Sequence, residues 1–295
     1  MKIKFLNRRQ DTFNYKIDRA CVTCGNEFKG RYCNVCGEKV TELYERSILS
    51  FLSGLLNAFT FLDGKFFNTV KLLIVKPGQL SKNIQEGKRV PFMNMLSLFF
   101  VANFFYFLFP IFDSYNSTLY SQMYQVGYHS EIAQKTVTAK LDEATIAFKD
   151  FEETYNSQST NLSKSLIIVL VFAFSGILMV MNYSKGSFFF NHLLFALEFY
   201  SFQLLLIAFL LANLIRVLVK VAFYFGIDWA FLLSDFTFTS IHVSLIAYFL
   251  IRGLITYYRQ KWYWAILKSI VLIFLLQGTV ITYRIMLFYF TIWTM

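Results

Sequence analysis

All four cysteines of the chain fall in two CxxCG repeats, Cys21-Val22-Thr23-Cys24-Gly25 and Cys33-Asn34-Val35-Cys36-Gly37, with eight residues between Cys24 and Cys33. The two-residue spacing lets both thiolates of a knuckle face one ion, and the glycine after each pair lets the backbone turn with its amides toward sulfur. Four thiolates at about 2.3 Å form a closed tetrahedral zinc centre with no position left for a substrate, so the expected role of Zn2+ is structural. Iron in the same cage, a redox CxxC and a pair of disulfides are the alternatives. The last two fit a cytoplasmic chain poorly, because thiols are kept reduced there.

Other residues that could do chemistry are sparse. His129, His192 and His242 are scattered over a loop and two span ends and form no ligand or catalytic cluster. The sequence holds no glycine-rich phosphate loop, no HExxH and no GxSxG, which favours a non-enzymatic protein. Two ionisable residues, Glu198 and Arg252, fall inside apolar runs, each about 8–9 Å from the cytoplasmic end at 1.5 Å rise per residue. Charges at that depth are costly unless partnered or wet, so the two are expected to pair on facing helices, either as interhelical bonding or as part of a transport path. Gln203, Asn213, Gln277 and Arg284 are expected to face inward.

The elements that must position these residues are set by composition. Hydrophobic residues make up 56% and aromatics 20% of 295 residues, while charged residues reach only 16%. Such a chain is too apolar for an ordinary soluble domain, and its stretches of about 17 to 23 residues with one charge or none read as membrane spans. The sequence therefore predicts an all-α polytopic membrane protein of about five spans with a small N-terminal zinc ribbon. Disordered, collagen-like and disulfide-rich secreted classes are excluded.

The parts follow in order: a cytoplasmic ribbon head at 1–45, interfacial amphipathic helices at 46–92, a first span at 93–112, an extracytoplasmic loop at 113–163, and a bundle of about four further helices at 164–295. Apolar residues from Ile48 to Leu62 recur at helical spacing, and a second stripe from Phe66 to Ile74 ends at Pro77-Gly78. Each piece is too short to span. They either lie in the inner headgroup layer or pack on the bundle. Ser130–Glu153 has helical character. The later spans are expected at Ser165–Met181, Leu193–Ile215, Ile241–Tyr258 and about Ala265–Tyr283. Val221–Leu233 reads as interfacial or re-entrant, and Ile285–Met295 as an apolar tail at the outer interface.

Charge sets the orientation. Residues 1–92 carry a net +8, 113–163 a net −4 and 164–295 a net +6. Basic residues beside spans mark the cytoplasmic side, and Met1 to Arg19 has no apolar core of a secretory signal, so the N-terminus is expected in the cytoplasm and the protein in the inner membrane. Lys88 and Arg89, just before the first span, are expected to meet anionic lipid headgroups or a partner. The basic, aromatic head, with Arg8, Arg9, Lys16, Arg19, Phe13 and Tyr15, suits anionic lipid, nucleic acid or a cytoplasmic protein. Homo-oligomers are also compatible.

The order of Cys21, Cys24, Cys33 and Cys36, then Pro77-Gly78, then Gly87-Lys88-Arg89 before the first span, resembles an uncharacterised membrane-protein family common in Bacteroidota. The likeness covers about residues 20–110. It implies a zinc-ribbon head followed by several spans, and no established activity. The expected function is a membrane module whose head senses or docks a partner and whose bundle acts as scaffold, channel or pore. A secondary transporter using Glu198 and Arg252 is the alternative.

Overall fold

The computed structural model describes residues 14–40, 64–108, 115–144, 146–184 and 188–295. The expected helix from Ile48 to Leu62, the basic residues Arg8 and Arg9, the last residues of the first expected span and the Lys185 turn lie outside the described residues.

The first described residues form a pair of small hairpins. Strands β1 (Asp18–Ala20) and β2 (Glu27–Lys29) pair antiparallel with Arg19 opposite Phe28, and a single bridge joins Tyr32 to Lys39. Each hairpin carries one CxxCG turn. Everything described after Gly64 is helical or a short connection: α1 (Gly64–Val75), α2 (Gln79–Gln85), α3 (Met95–Leu108), α4 (Leu119–Tyr124), α5 (Ser130–Ala144), α6 (Phe148–Leu166) and α7 (Ile168–Met181). They are followed by α8 (Phe189–Ser201), a π-helical stretch (Phe202–Leu211), α9 (Ala212–Tyr224), α10 (Asp235–Thr256) and α11 (Trp262–Thr294).

Among the described residues, three helices are long and apolar enough to cross a membrane: Phe189–Tyr224, Asp235–Thr256 and Trp262–Thr294. A fourth candidate is the α6–α7 pair, bent by 47° at Ile167, and α3 is a shorter apolar helix of 14 residues. The described residues are thus mostly helical, with three to four candidate spans that suggest a multi-pass membrane protein, against about five spans expected of the whole chain.

At the centre lies α8. Every residue from Phe190 to Ser201 is buried, which is the state expected of a helix apolar on all sides. Helices α3 and α7 pack against it, and α10 supplies Phe249, whose ring lies 5.5 Å from Phe199 and 4.8 Å from Phe202. Phe174 of α7 closes the other side at 4.9 Å from Phe199. A second, smaller core joins Leu119, Val137, Phe151 and Tyr155 to Phe288 and Ile292 of α11.

Three expectations are corrected. The polar segment before the fourth candidate span is two helices, and the second runs to Leu166 and into α7, because no glycine or proline interrupts the chain between Phe148 and the bend at Ile167. Val221–Tyr224 is the end of α9 rather than a re-entrant piece: the helix continues past Arg216 and Lys220, and only Ala230–Leu233 forms a separate 3₁₀ turn. Ile285–Met295 is not a tail. It prolongs α11, with Leu287, Phe288, Thr291 and Ile292 buried.

Candidate functional site

In the head, the two knuckles repeat one another in backbone detail. The amides of Gly25 and Gly37 donate to the carbonyls of Cys21 and Cys33 at 2.9 Å, and the amides of Cys21 and Cys33 donate to the carbonyls of Asn26 and Glu38. Both glycines hold φ near +75°, a value that a side chain would oppose. This brings the four sulfurs together, with Cys21 Sγ 3.5 Å from Cys36 Sγ, Cys24 Sγ 3.7 Å from Cys33 Sγ, and all four within 4.8 Å of one another.

These sulfurs fit a metal ion. A tetrahedron with ligand bonds of about 2.3 Å has edges of about 3.8 Å, close to the two measured separations. Charge points the same way. The backbone amide of Cys36, with that of Val35, brings the Cys33 thiol down to about 6 against burial. Cys36 receives an amide from Glu38, yet burial and the three neighbouring sulfurs push it up to about 12. The Cys33 thiolate forms readily while Cys24 and Cys36 resist ionising beside it, a conflict that a cation among them would relieve.

The head is fixed to the helical body by a residue the sequence reading did not single out. Glu38, next to the second knuckle, is only 3% exposed. Its carboxylate accepts a bond from the Thr23 hydroxyl of the first knuckle and from the backbone amides of Arg89 (3.0 Å) and Val90 (3.2 Å). The Gly87-Lys88-Arg89 segment therefore presents backbone to the ribbon, whatever its side chains meet. A cavity of about 370 Å³ remains between the two, lined by Arg19, Phe28, Glu38, Lys39, Glu86 and Gly87 among others.

At its other end the same segment enters the bundle. Pro77-Gly78 ends α1 and starts α2, and α2 closes at Gly87 with the Lys88 amide reaching back to the Asn83 carbonyl at 2.8 Å, a standard helix stop. The first turn of α2 needs acceptors for its free amides. Glu198, fully buried in α8, supplies them: one carboxylate oxygen accepts from Gly78 N at 2.8 Å, the other from Ser81 N at 2.8 Å and from the Ser81 hydroxyl. Gly78 makes the approach possible. It holds φ +80°, and a Cβ there would lie 2.9 Å from Cα and O of Gly253 on α10, while a Cβ on Gly253 would meet the Phe195 ring at 2.6 Å.

The expected Glu198–Arg252 pair does not form. Glu198 spends its oxygens on α2, and Arg252 lies exposed on α10 with no ion pair among the described residues. Two opposite charges at similar depth were the only signal available in the sequence, but Glu198 is fully buried while Arg252 is exposed. The amides of α2 are closer. Of the other polar residues, Asn213 bonds to the Phe209 carbonyl of its own helix. Gln203, Gln277 and Arg284 do line a second cavity, of about 340 Å³. The histidines stay apart: His192 bonds Tyr258 at 2.8 Å, His242 lies 3.2 Å from Gln203, and His129 is buried against Phe288 and Tyr289.

Residues 63–107 match a family described as "Protein of unknown function (DUF3667)". The matched segment runs through α1 to nearly the end of α3, so it contains Pro77-Gly78, α2 and Gly87-Lys88-Arg89. No curated protein and no solved structure matches the chain.

Proposed function

We propose that the chain is a non-enzymatic inner-membrane protein whose cytoplasmic head, loaded with zinc at Cys21, Cys24, Cys33 and Cys36, docks or senses a partner and is mechanically tied to the bundle, which serves as scaffold. The observation that carries this reading is the pair of carboxylates that grip one short segment from both sides. Glu38 holds its Arg89 and Val90 amides to the ribbon, and Glu198 holds its Gly78 and Ser81 amides to the centre of the bundle. A change in the head's fold is thereby transmitted to α2 and on to α8 over two hydrogen-bonded contacts.

Several surfaces support a docking role. Val22 and Val35, at the tips of the two knuckles, and Tyr32 beside them are well exposed, and apolar tips of this kind suit a protein partner more than a phosphate backbone. On α1, Phe67, Ile74 and Val75 are exposed next to Lys65, Lys71 and Lys76, which suits an interfacial layer over anionic lipid. The cytoplasmic and inner-membrane placement rests on the basic balance of residues 1–92. The transporter alternative loses its carboxylate, since Glu198 holds a helix in place.

The test is to chelate the metal from the full-length protein in membranes and follow amide hydrogen exchange. Exchange should rise first in residues 18–40 and then at Arg89 and Val90, because their acceptor is attached to the ribbon. Loss of protection in the ribbon with none at Arg89 and Val90 would refute the coupling.

A further inference from the structure

At the opposite end of the bundle from the Trp262 turn, the second cavity gathers several buried polar side chains that neither carboxylate contact uses. Its inner wall is Tyr115, Tyr200, Gln203, His242 and Arg284. Tyr115 and Tyr200 are each 1% exposed, yet neither phenolic hydroxyl has a hydrogen-bond partner among the described residues. A buried hydroxyl left unpartnered costs free energy and calls for an explanation. Gln203 is the second residue of the π-helical stretch, a rare geometry that recurs at binding sites because it re-aims side chains. Its amide reaches the His242 imidazole at 3.2 Å.

The chemistry of this wall is donor-rich. Two phenols, an amide, an imidazole and a guanidinium face it, and no Asp or Glu is among the described residues that line it. A guanidinium carries five N–H donors, so Arg284 can serve a ligand while keeping other contacts. Such a set recognises oxygen atoms that accept several bonds, above all those of a phosphate or carboxylate. The opening is lateral. Thr239 of α10 and Gln277 of α11 are exposed at the mouth, flanked by Val243 and Ile281 on the outer surface of two candidate spans. Gln277 and Arg284 lie about 22 and 33 Å along α11 from Trp262, which places the mouth in the half of the bilayer away from the Trp262 turn.

We infer that this cavity binds the anionic headgroup of an amphiphile from the adjoining leaflet, with the oxyanion among Tyr115, Tyr200, Gln203, His242 and Arg284 and the acyl chains leaving between α10 and α11 into lipid. The inference is independent of the metal head. A polar interior with a mouth on an apolar, lipid-facing surface fits an amphiphile better than a water-soluble anion, which would have to cross hydrocarbon to reach it.

The experiment uses the full-length protein in nanodiscs of phosphatidylcholine doped with phosphatidylglycerol, with retained lipids counted by native mass spectrometry after release. Retention of phosphatidylglycerol over phosphatidylcholine is expected. Arg284→Gln should lower that preference about tenfold, in keeping with the loss of one charge-assisted contact. If that variant fails to fold, Tyr200→Phe carries the test, because it removes one oxygen from a site where it has no protein partner; it should lower retention severalfold and leave the melting temperature at or above the parent's. Equal retention of both lipids, or unchanged preference in the variants, overturns the inference. So does displacement of bound phosphatidylglycerol by glycerol phosphate at a concentration no higher than that of the lipid itself, since the acyl chains would then contribute nothing.

Discussion

Replacing Glu198 with Ala leaves the Gly78 and Ser81 amides facing a vacated, buried site, while the Ser81 hydroxyl can rotate to another acceptor. An unsatisfied buried amide costs about 1–3 kcal/mol, so two come to about 4 kcal/mol, a large share of a stability usually between about 5 and 15 kcal/mol. At about 2 °C per kcal/mol for a chain of this size, apparent melting in detergent should fall by about 8 °C. Glu198→Gln keeps one carbonyl oxygen and turns an NH2 toward a donor, so it should lose about half as much. The control is Arg252→Gln: an exposed side chain with no ion pair among the described residues should move the melt by no more than about 0.5 kcal/mol. Thermal melts followed by tryptophan fluorescence, with limited proteolysis at Lys82 and Lys88, read both effects. The reasoning is refuted if Glu198→Ala melts within about 1 °C of the parent, or if Arg252→Gln costs as much as Glu198→Gln, the signature of a true ion pair.

Glu38→Ala should leave metal content unchanged, because no ligand is touched, yet raise amide exchange at Arg89 and Val90; equal protection in parent and variant would show that the ribbon is held by something else. Gly253→Ala should destabilise the bundle by driving a methyl into the Phe195 ring, and adding Phe195→Leu should restore part of the loss, whereas two additive costs in a melt would contradict the collision. Any one of the four Cys→Ser changes should abolish stoichiometric metal, measured by elemental analysis, and loosen residues 18–40. Burial holds the His129 imidazole below its ordinary 6.5, so the unfolded chain binds more protons just below that pH and the α4–α5 layer should lose protection as pH falls through it. His129→Phe should flatten that pH dependence in hydrogen exchange.

What could be read from the sequence follows the range of the interactions. The four-cysteine centre was legible because both knuckles are local: two residues separate each pair of ligands, and a glycine marks each turn. The apolar helices were legible as runs, and their ends were not. Arg216 and Lys220 looked like a stop, yet long cationic side chains can extend toward polar surroundings while the helix continues, as α9 does to Tyr224. Glu198 was legible as a buried charge needing a partner. Its partner was not, since backbone amides carry no sequence letter and those of Gly78 and Ser81 come from a segment 117 and 120 residues away. Tyr115, Tyr200 and His242 share a cavity for the same reason: the connection before α4, α8 and α10 are unrelated stretches that only the folded bundle brings together.

The separation between Gly78 and Glu198 also orders events in time. At roughly 5–20 residues per second during synthesis, the ribosome needs on the order of 10 s after making the Pro77-Gly78 turn to deliver the carboxylate that holds it. Throughout that interval the four-cysteine head can already fold, since Cys36 lies well upstream, but the platform beneath it has no anchor. The head is therefore complete before its seat exists, and α2 carries uncapped amides until α8 has entered the membrane. Insertion of α8 is the step that commits the two halves of the molecule to one another, and a chain stalled before it would display a finished head on an unfinished body, a state that quality-control proteases could recognise by the loose 76–90 segment.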